Sequence, residues 1–270
     1  MSPGPLAVHD VGTGPVVVFL AGFGLDHRLW DGQVEHLSRT HRVVCVDLLG
    51  TGHSKKPIAG YSPDEQAQLV LSAVADLHIE RFTLVGHSFG GIVAFAAAAA
   101  RPKVVEKLIL VGSNGVRAGR SAEFPFGARG EKLLPQLILL ERTDRVAGRR
   151  RTLAAGFATQ PDDAVLDYLT SIFLEMPSWS AISSFEQMYT TDQIDRIPAV
   201  SMPVSLIVGD RDRVHPLSGA RWLQAKLAFA HLEVIPDVGH YPMLESPAAL
   251  NTLLTAELGT SNQRNGKGES

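Results

Sequence analysis

The sequence predicts an α/β fold: a mostly parallel central sheet flanked by helices, with one helical insertion. Three observations carry this reading. Short β-branched runs recur along the 270 residues, with helical stretches between several of them. Most of these runs are apolar nearly throughout rather than alternating, which marks strands covered on both faces. The alternation of strand and helix then stops between Gly112 and Met202 and resumes at Val204, so this stretch reads as an excursion from the sheet and not as a second independent domain.

The elements follow in order. A first strand is expected at 16–20 and a helix at 31–39, then a strand at 42–47. A helix at 63–77 opens on Ser62-Pro63-Asp64-Glu65, where Ser62 can cap, Pro63 suits the first helical position and Glu65 completes a capping box. A strand at 82–86 leads into an alanine-rich helix at 89–100, favourable for helix and small enough to pack closely on a sheet. A strand at 107–111 precedes the insertion, whose short helices are separated by Pro125, Pro135, Pro161 and Pro177. Residues 116–151 carry nine Lys/Arg and four Asp/Glu, whereas 152–200 carry one Arg and seven acids. The two halves either pair with each other or form two solvated faces of opposite sign. Strands at 204–208 and 231–235 and a helix starting near Ser246-Pro247 complete the pattern. The tail 259–270 has no apolar anchor and is expected to be disordered.

Composition narrows the function classes. With 25 basic and 28 acidic residues the net charge is -3, so no nucleic-acid groove is indicated. The single cysteine, Cys45, forms neither an internal disulfide nor a cysteine-based metal site and fits a reducing compartment. The first residues, Met1-Ser2-Pro3-Gly4-Pro5-Leu6, lack a basic stretch leading into an apolar core. The longest apolar run, Phe89–Ala100, stops at Arg101, too short for a membrane span. A cytoplasmic protein is expected.

The chemistry concentrates at Gly86-His87-Ser88-Phe89-Gly90-Gly91, a G-x-S-x-G between an apolar strand and a helix. Glycines two before and two after the serine let strand and helix pass closely and lift the hydroxyl above the sheet edge. The Phe89 N–H, at the helix start, can face a developing oxyanion. A serine hydroxyl needs a base to take its proton. Of ten histidines, His9, His36, His41, His78 and His231 sit beside element ends and read as surface residues. His87 should point away along the strand, and His53 belongs to a turn. His240 lies in a loop just after the last strand, where α/β sheets place their ligands, and is the candidate base. Its carboxylate partner is Asp212 or Asp210, both in the loop after the penultimate strand. Asp212 is favoured because it lies further into the loop, where its side chain can reach across to the loop bearing His240. Asp210 follows Gly209 directly and could serve to cap the turn; His215 could pair locally with either acid.

These residues resemble the α/β-hydrolase fold superfamily across 6–258. The order Ser88, Asp212, His240 matches that family's nucleophile, acid and histidine, and Asp47-Leu48-Leu49-Gly50-Thr51-Gly52-His53-Ser54 resembles the turn after its fourth strand. The resemblance implies a core of 1–113 and 199–258 and a helical cap at 114–198, which in the family roofs the pocket. It departs at Ala21-Gly22-Phe23-Gly24, where the family commonly has His-Gly-x-Gly. The donor there is a backbone group, so the Phe23 N–H is expected to complete an oxyanion hole with that of Phe89, and the two rings could line the acyl pocket or pack in the core.

A full dinucleotide fingerprint is missing, and no H-E-x-x-H or Cys/His cluster is present, so no cofactor and no catalytic metal are expected. Dehalogenases and epoxide hydrolases of this fold carry an aspartate where Ser88 stands. Leu137, Leu140, Phe157, Phe173, Met176, Trp179, Phe185 and Met188 in the insert suit a hydrophobic acyl or aryl group or pack cap on core. The expected function is a serine hydrolase acting on a small-molecule ester, thioester or lactone. C–C bond hydrolysis and cofactor-free perhydrolysis use the same residues, and a ligand receptor is the alternative of another class.

Overall fold

The structure, a computed structural model, describes residues 4–259. Seven strands form one sheet in the order β1-β3-β2-β4-β5-β6-β7. They are β1 (Val8–Val11), β2 (Val16–Leu20), β3 (Arg42–Val46), β4 (Phe82–His87), β5 (Val105–Val111), β6 (Val204–Gly209) and β7 (Ala230–Ile235). All neighbours run parallel except β1, which pairs antiparallel with β3. β2 and β3 are buried after their first residue, and β4 and β6 throughout, as continuous apolar runs predict. β7 closes the far edge and is only half-buried, with His231 and Val234 exposed. β1 was not anticipated: Val-His-Asp-Val is short and half-exposed, so it shows no apolar run.

Helices cover both faces. α1 (Asp31–Leu37) and α10 (Pro247–Gly259) pack on the side of Phe19, Cys45 and Val85, while α2 (Pro63–Asp76), α3 (Phe89–Ala100) and α8 (Leu217–Lys226) pack on that of Val18, Leu84 and Leu110. Ser62 and Glu65 form the expected capping box on α2. The direction of winding changes between β2 and β4, so the loops leaving these two neighbouring strands open a crevice at their C-terminal ends. A four-residue helix, α9 (Pro242–Glu245), precedes α10. α10 extends to Gly259, and the rest of the expected tail lies outside the described residues.

Between β5 and β6 the chain forms α4 (Gly130–Thr143), α5 (Arg145–Gly156), α6 (Asp163–Leu174) and α7 (Ser178–Thr190). Pro135 lies inside α4 rather than between helices. The oppositely charged halves of this insert do meet. Arg150 pairs with Asp163 and Asp167, and Arg117 with Asp192, all with exposed carboxylates that contribute little to stability. One pair is different. Arg149 and Glu141 are both buried, with bonds of 3.0 and 2.5 Å, and the guanidinium also donates to the carbonyls of Phe173 and Met176 and lies 4.7 Å from the Phe173 ring centre. It ties α5 to α4 and to the end of α6. Arg149→Met is expected to destabilise the protein by about 3–5 kcal/mol, because Glu141 stays buried without its partner. In urea unfolding, the double variant with Glu141→Leu should regain most of that loss.

Candidate active site

The crevice at the strand ends is built from four loops. β4 ends at His87, and Ser88 turns the chain into α3 with φ 53° and ψ −120°, a conformation that strains any side-chain-bearing residue. Its neighbours must be glycine. A Cβ on Gly86 would lie 2.5 Å from the Gly90 carbonyl oxygen, and one on Gly90 would lie 2.4 Å from that of Ala21. The Ser113 hydroxyl donates to the Ser88 carbonyl at 2.8 Å and helps fix the turn.

The loops after β6 and β7 bring the other groups. His240 Nε2 lies 2.9 Å from Ser88 Oγ, and His240 Nδ1 lies 2.9 Å from Asp212 Oδ2. The second Asp212 oxygen accepts the amides of Val214 at 2.7 Å and His215 at 2.9 Å. The His240 amide donates to the Gly156 carbonyl at 2.7 Å, so the insert fixes the histidine loop. Ser88, His240 and Asp212 are all buried. Burial pushes the Asp212 carboxyl up, but the facing histidines and the His215 amide outweigh it and hold it below the usual carboxylate value. Asp212 therefore stays ionised and keeps the Nδ1 proton on His240, leaving the Nε2 lone pair toward Ser88. Asp210 is exposed and takes no part in this relay.

The amides of Phe23 and Phe89 have no protein acceptor among the described residues; Phe89 opens α3, where the N–H has no intrahelical partner. The two rings differ. Phe23 lines the cavity above Ser88 and packs on Phe173 and Phe185, whereas the Phe89 ring is buried in the core. The cavity has a volume of about 350 Å³. Of the eight apolar insert residues, Leu137, Leu140, Phe173, Phe185 and Met188 line it. Phe157 and Met176 are buried in the core, and Trp179 is half-exposed with its indole bonded to Lys56.

Two histidines lie elsewhere than their local sequence implies. His87 is fully buried, and its Nε2 donates to the His240 carbonyl at 2.8 Å instead of pointing away. The His215 ring pairs with neither acid; its Nδ1 accepts the Asn114 amide at 3.3 Å, and only its backbone serves Asp212. Both contacts span more than 100 residues, and no local signal could have shown them. Burial, with His240 nearby, pulls the His215 imidazole down to about 4 and His87 well below 6.5. Unfolded, both titrate near 6.5, so between about pH 6.5 and 4 the unfolded chain binds more protons and stability falls as pH falls. At pH 4 His215 alone should cost about 3 kcal/mol. Urea unfolding at pH 7, 5 and 4 should show this slope, and His215→Gln should reduce it to the share of His87.

Two groups of His and Asp side chains have metal-capable spacing, His9, Asp47 and His53, and Asp26, His27 and Asp47. Both centre on Asp47, whose buried carboxylate already accepts the amides of His27 at 2.9 Å and His53 at 3.0 Å and so holds the loops after β2 and β3. Among the described residues, no helix is long and apolar enough to cross a membrane.

The sequence profile of the Alpha/beta hydrolase family matches residues 17–253. A relative from Mycobacterium tuberculosis, itself described only as an uncharacterised protein, is 33% identical over 259 residues, covering 90% of this chain and 74% of that one. The pimeloyl-[acyl-carrier protein] methyl ester esterase of Nitrosomonas europaea is 33% identical over 244 residues, covering 89% of this chain and 94% of the relative. Among solved structures, the esterase of Exiguobacterium antarcticum superimposes with a TM-score of 0.90 at 24% identity, covering 94% of this chain and 95% of that one, which shows a common fold. The strand order, the strand–Ser88–helix turn and a profile match across most of the chain thus lead to one conclusion: the protein belongs to the Alpha/beta hydrolase family.

Proposed function

We propose that the protein is a serine hydrolase cleaving a carboxylic ester, thioester or lactone through an acyl-enzyme. The observation that carries this is the relay Asp212–His240–Ser88, two bonds of 2.9 Å ending on a serine held at positive φ. His240 takes the Ser88 proton as Oγ attacks the carbonyl, and the oxyanion that forms is met by the Phe23 and Phe89 amides. His240 then gives the proton to the leaving group, and water hydrolyses the acyl-enzyme by the same route. Asp212 is a positioning residue that fixes the imidazole. The reading needs no cofactor. The Nitrosomonas relative is described as a methyl ester esterase, which supports an ester as substrate. We assign 114–198 as a cap on a core of 1–113 and 199–258; residues of both line the cavity, and its apolar walls suit a hydrophobic acyl group.

Fluorophosphonate labelling read by intact mass tests this without knowledge of the natural substrate. One adduct on the wild-type chain, absent from Ser88→Ala and His240→Ala, is the expected result. A folded wild-type protein that takes no adduct would overturn it.

A further inference from the structure

Along α5, Gly148, Arg151, Thr152 and Ala155 line the cavity, a spacing that puts all four on one face of the helix. Arg151 therefore projects from the face that meets the cavity. The other three arginines of α5 are all engaged: Arg149 with Glu141, Arg150 with Asp163 and Asp167, and Arg145 with the Leu174 carbonyl. Arg151 is exposed, and its guanidinium has no acceptor among the described residues. The loop after β6 repeats the pattern. Arg211 pairs with Asp237, whereas Arg213, which lines the same cavity, is exposed and has no acceptor among the described residues. Among the described residues no Asp, Glu or Lys lines this cavity, so its wall is positive in a chain whose net charge is -3.

We infer that Arg151 and Arg213 bind an anionic group at the far end of the substrate, so that the site favours esters carrying a carboxylate several methylenes from the scissile bond. The inference rests on the proposed role of Ser88 only for where that bond sits. Ser88 and His240 are buried, whereas the two arginines are exposed and stand where the cavity meets solvent. Between them the wall is apolar, with Leu137, Leu140, Phe173 and Phe185. A substrate that spans the cavity thus meets Ser88 at its ester, hydrocarbon along its chain and positive charge where it emerges. A guanidinium suits that place: it stays charged at every working pH, and its planar fork matches a carboxylate. Because neither side chain is held by a hydrogen bond, each is free to swing to the anion. Exposure keeps the gain modest and makes it weaken with salt.

Calorimetry on Ser88→Ala separates recognition from turnover. Two matched pairs place the charge on either side of the ester: monomethyl suberate against methyl octanoate, and ω-acetoxyhexanoate against hexyl acetate. Adding Arg151→Gln and Arg213→Gln together should lower the affinity for at least one anionic ester about 3- to 10-fold and leave its neutral partner unchanged. Adding Arg151→Lys and Arg213→Lys instead, which keeps the charge, should restore most of the loss. The effect should shrink when salt is raised from about 20 to 500 mM. Both side chains are exposed, so thermal unfolding should match the parent. The inference is overturned if neither anionic ester binds, if neither loses affinity in the Gln variant, if the neutral partners lose as much, if salt leaves the loss unchanged, or if the Lys variant behaves as the Gln variant. The same esters offered to the chain with Ser88 intact test the hydrolase reading separately. With turnover, the Gln variant should raise KM for the anionic ester at unchanged kcat. Binding that follows the arginines without hydrolysis would fault Ser88 as nucleophile and leave the roles of Arg151 and Arg213 standing.

Discussion

Ser88→Ala and His240→Ala are each expected to lower kcat on an activated ester by about 10⁵- to 10⁶-fold, and the double variant to be no slower than either single one. The reason is the geometry of the pair. Among the described residues, Ser88 Oγ meets no base but His240 Nε2 at 2.9 Å, and His240 has no reacting group to serve without Ser88. Removing one removes the work of the other, so the losses do not add. Turnover should not fall to the rate in water, because the free amides of Phe23 and Phe89 would still stabilise an oxyanion formed by direct attack of water, leaving about 10³-fold acceleration. Ser88→Ala keeps a Cβ at φ 53° and so adds no new strain to the turn, and thermal unfolding should match wild type. A kcat above about a hundredth of wild type in Ser88→Ala would remove the serine from the mechanism. Fully additive losses would separate its role from that of His240.

The parts of this architecture that were legible in the sequence are those set by local pattern. β2, β3, β4, β5 and β6 are buried on both faces and appear as apolar runs, and the Gly86–Gly91 turn announces itself because close passage of strand and helix admits no side chain. The loops that carry Ser88, Asp212 and His240 follow from position, each leaving the C-terminal end of a parallel strand, but position alone leaves Asp210 beside Asp212 in the same loop. Illegible were features fixed by long-range contact. β1 is a strand only because β3 offers it an edge, and its Val-His-Asp-Val carries no pattern of its own. The burial of His87 and His215 depends on loops more than 100 residues away, and the Arg149–Glu141 pair becomes buried only when α4, α5 and α6 assemble. The separate fates of the Phe23 and Phe89 rings belong with these, since one lines the cavity and the other is buried in the core, a difference set by what packs around each.

Asp212→Asn should lower kcat by about 10⁴-fold while leaving the fold and KM nearly unchanged. The argument turns on which end of the new amide faces the histidine. Asp212 Oδ1 accepts two backbone amides, from Val214 and His215, and only an oxygen can stand there. The asparagine must therefore present its NH₂ at the position of Oδ2, 2.9 Å from His240 Nδ1. An N–H donor there makes Nδ1 the acceptor and moves the ring proton to Nε2, opposite Ser88. The imidazole then meets the serine hydroxyl with a proton instead of a lone pair and cannot act as its base. The negative charge that would stabilise the imidazolium is lost as well. Asp212→Ala should be slower for a second reason and less stable too, because the amides of Val214 and His215 lose their acceptor and the loop its anchor. Steady-state kinetics on an activated ester, read beside urea unfolding, separates the two variants. If Asp212→Asn keeps more than about a tenth of the wild-type kcat, the carboxylate does not set the tautomer, and Asp210→Asn becomes the variant to measure.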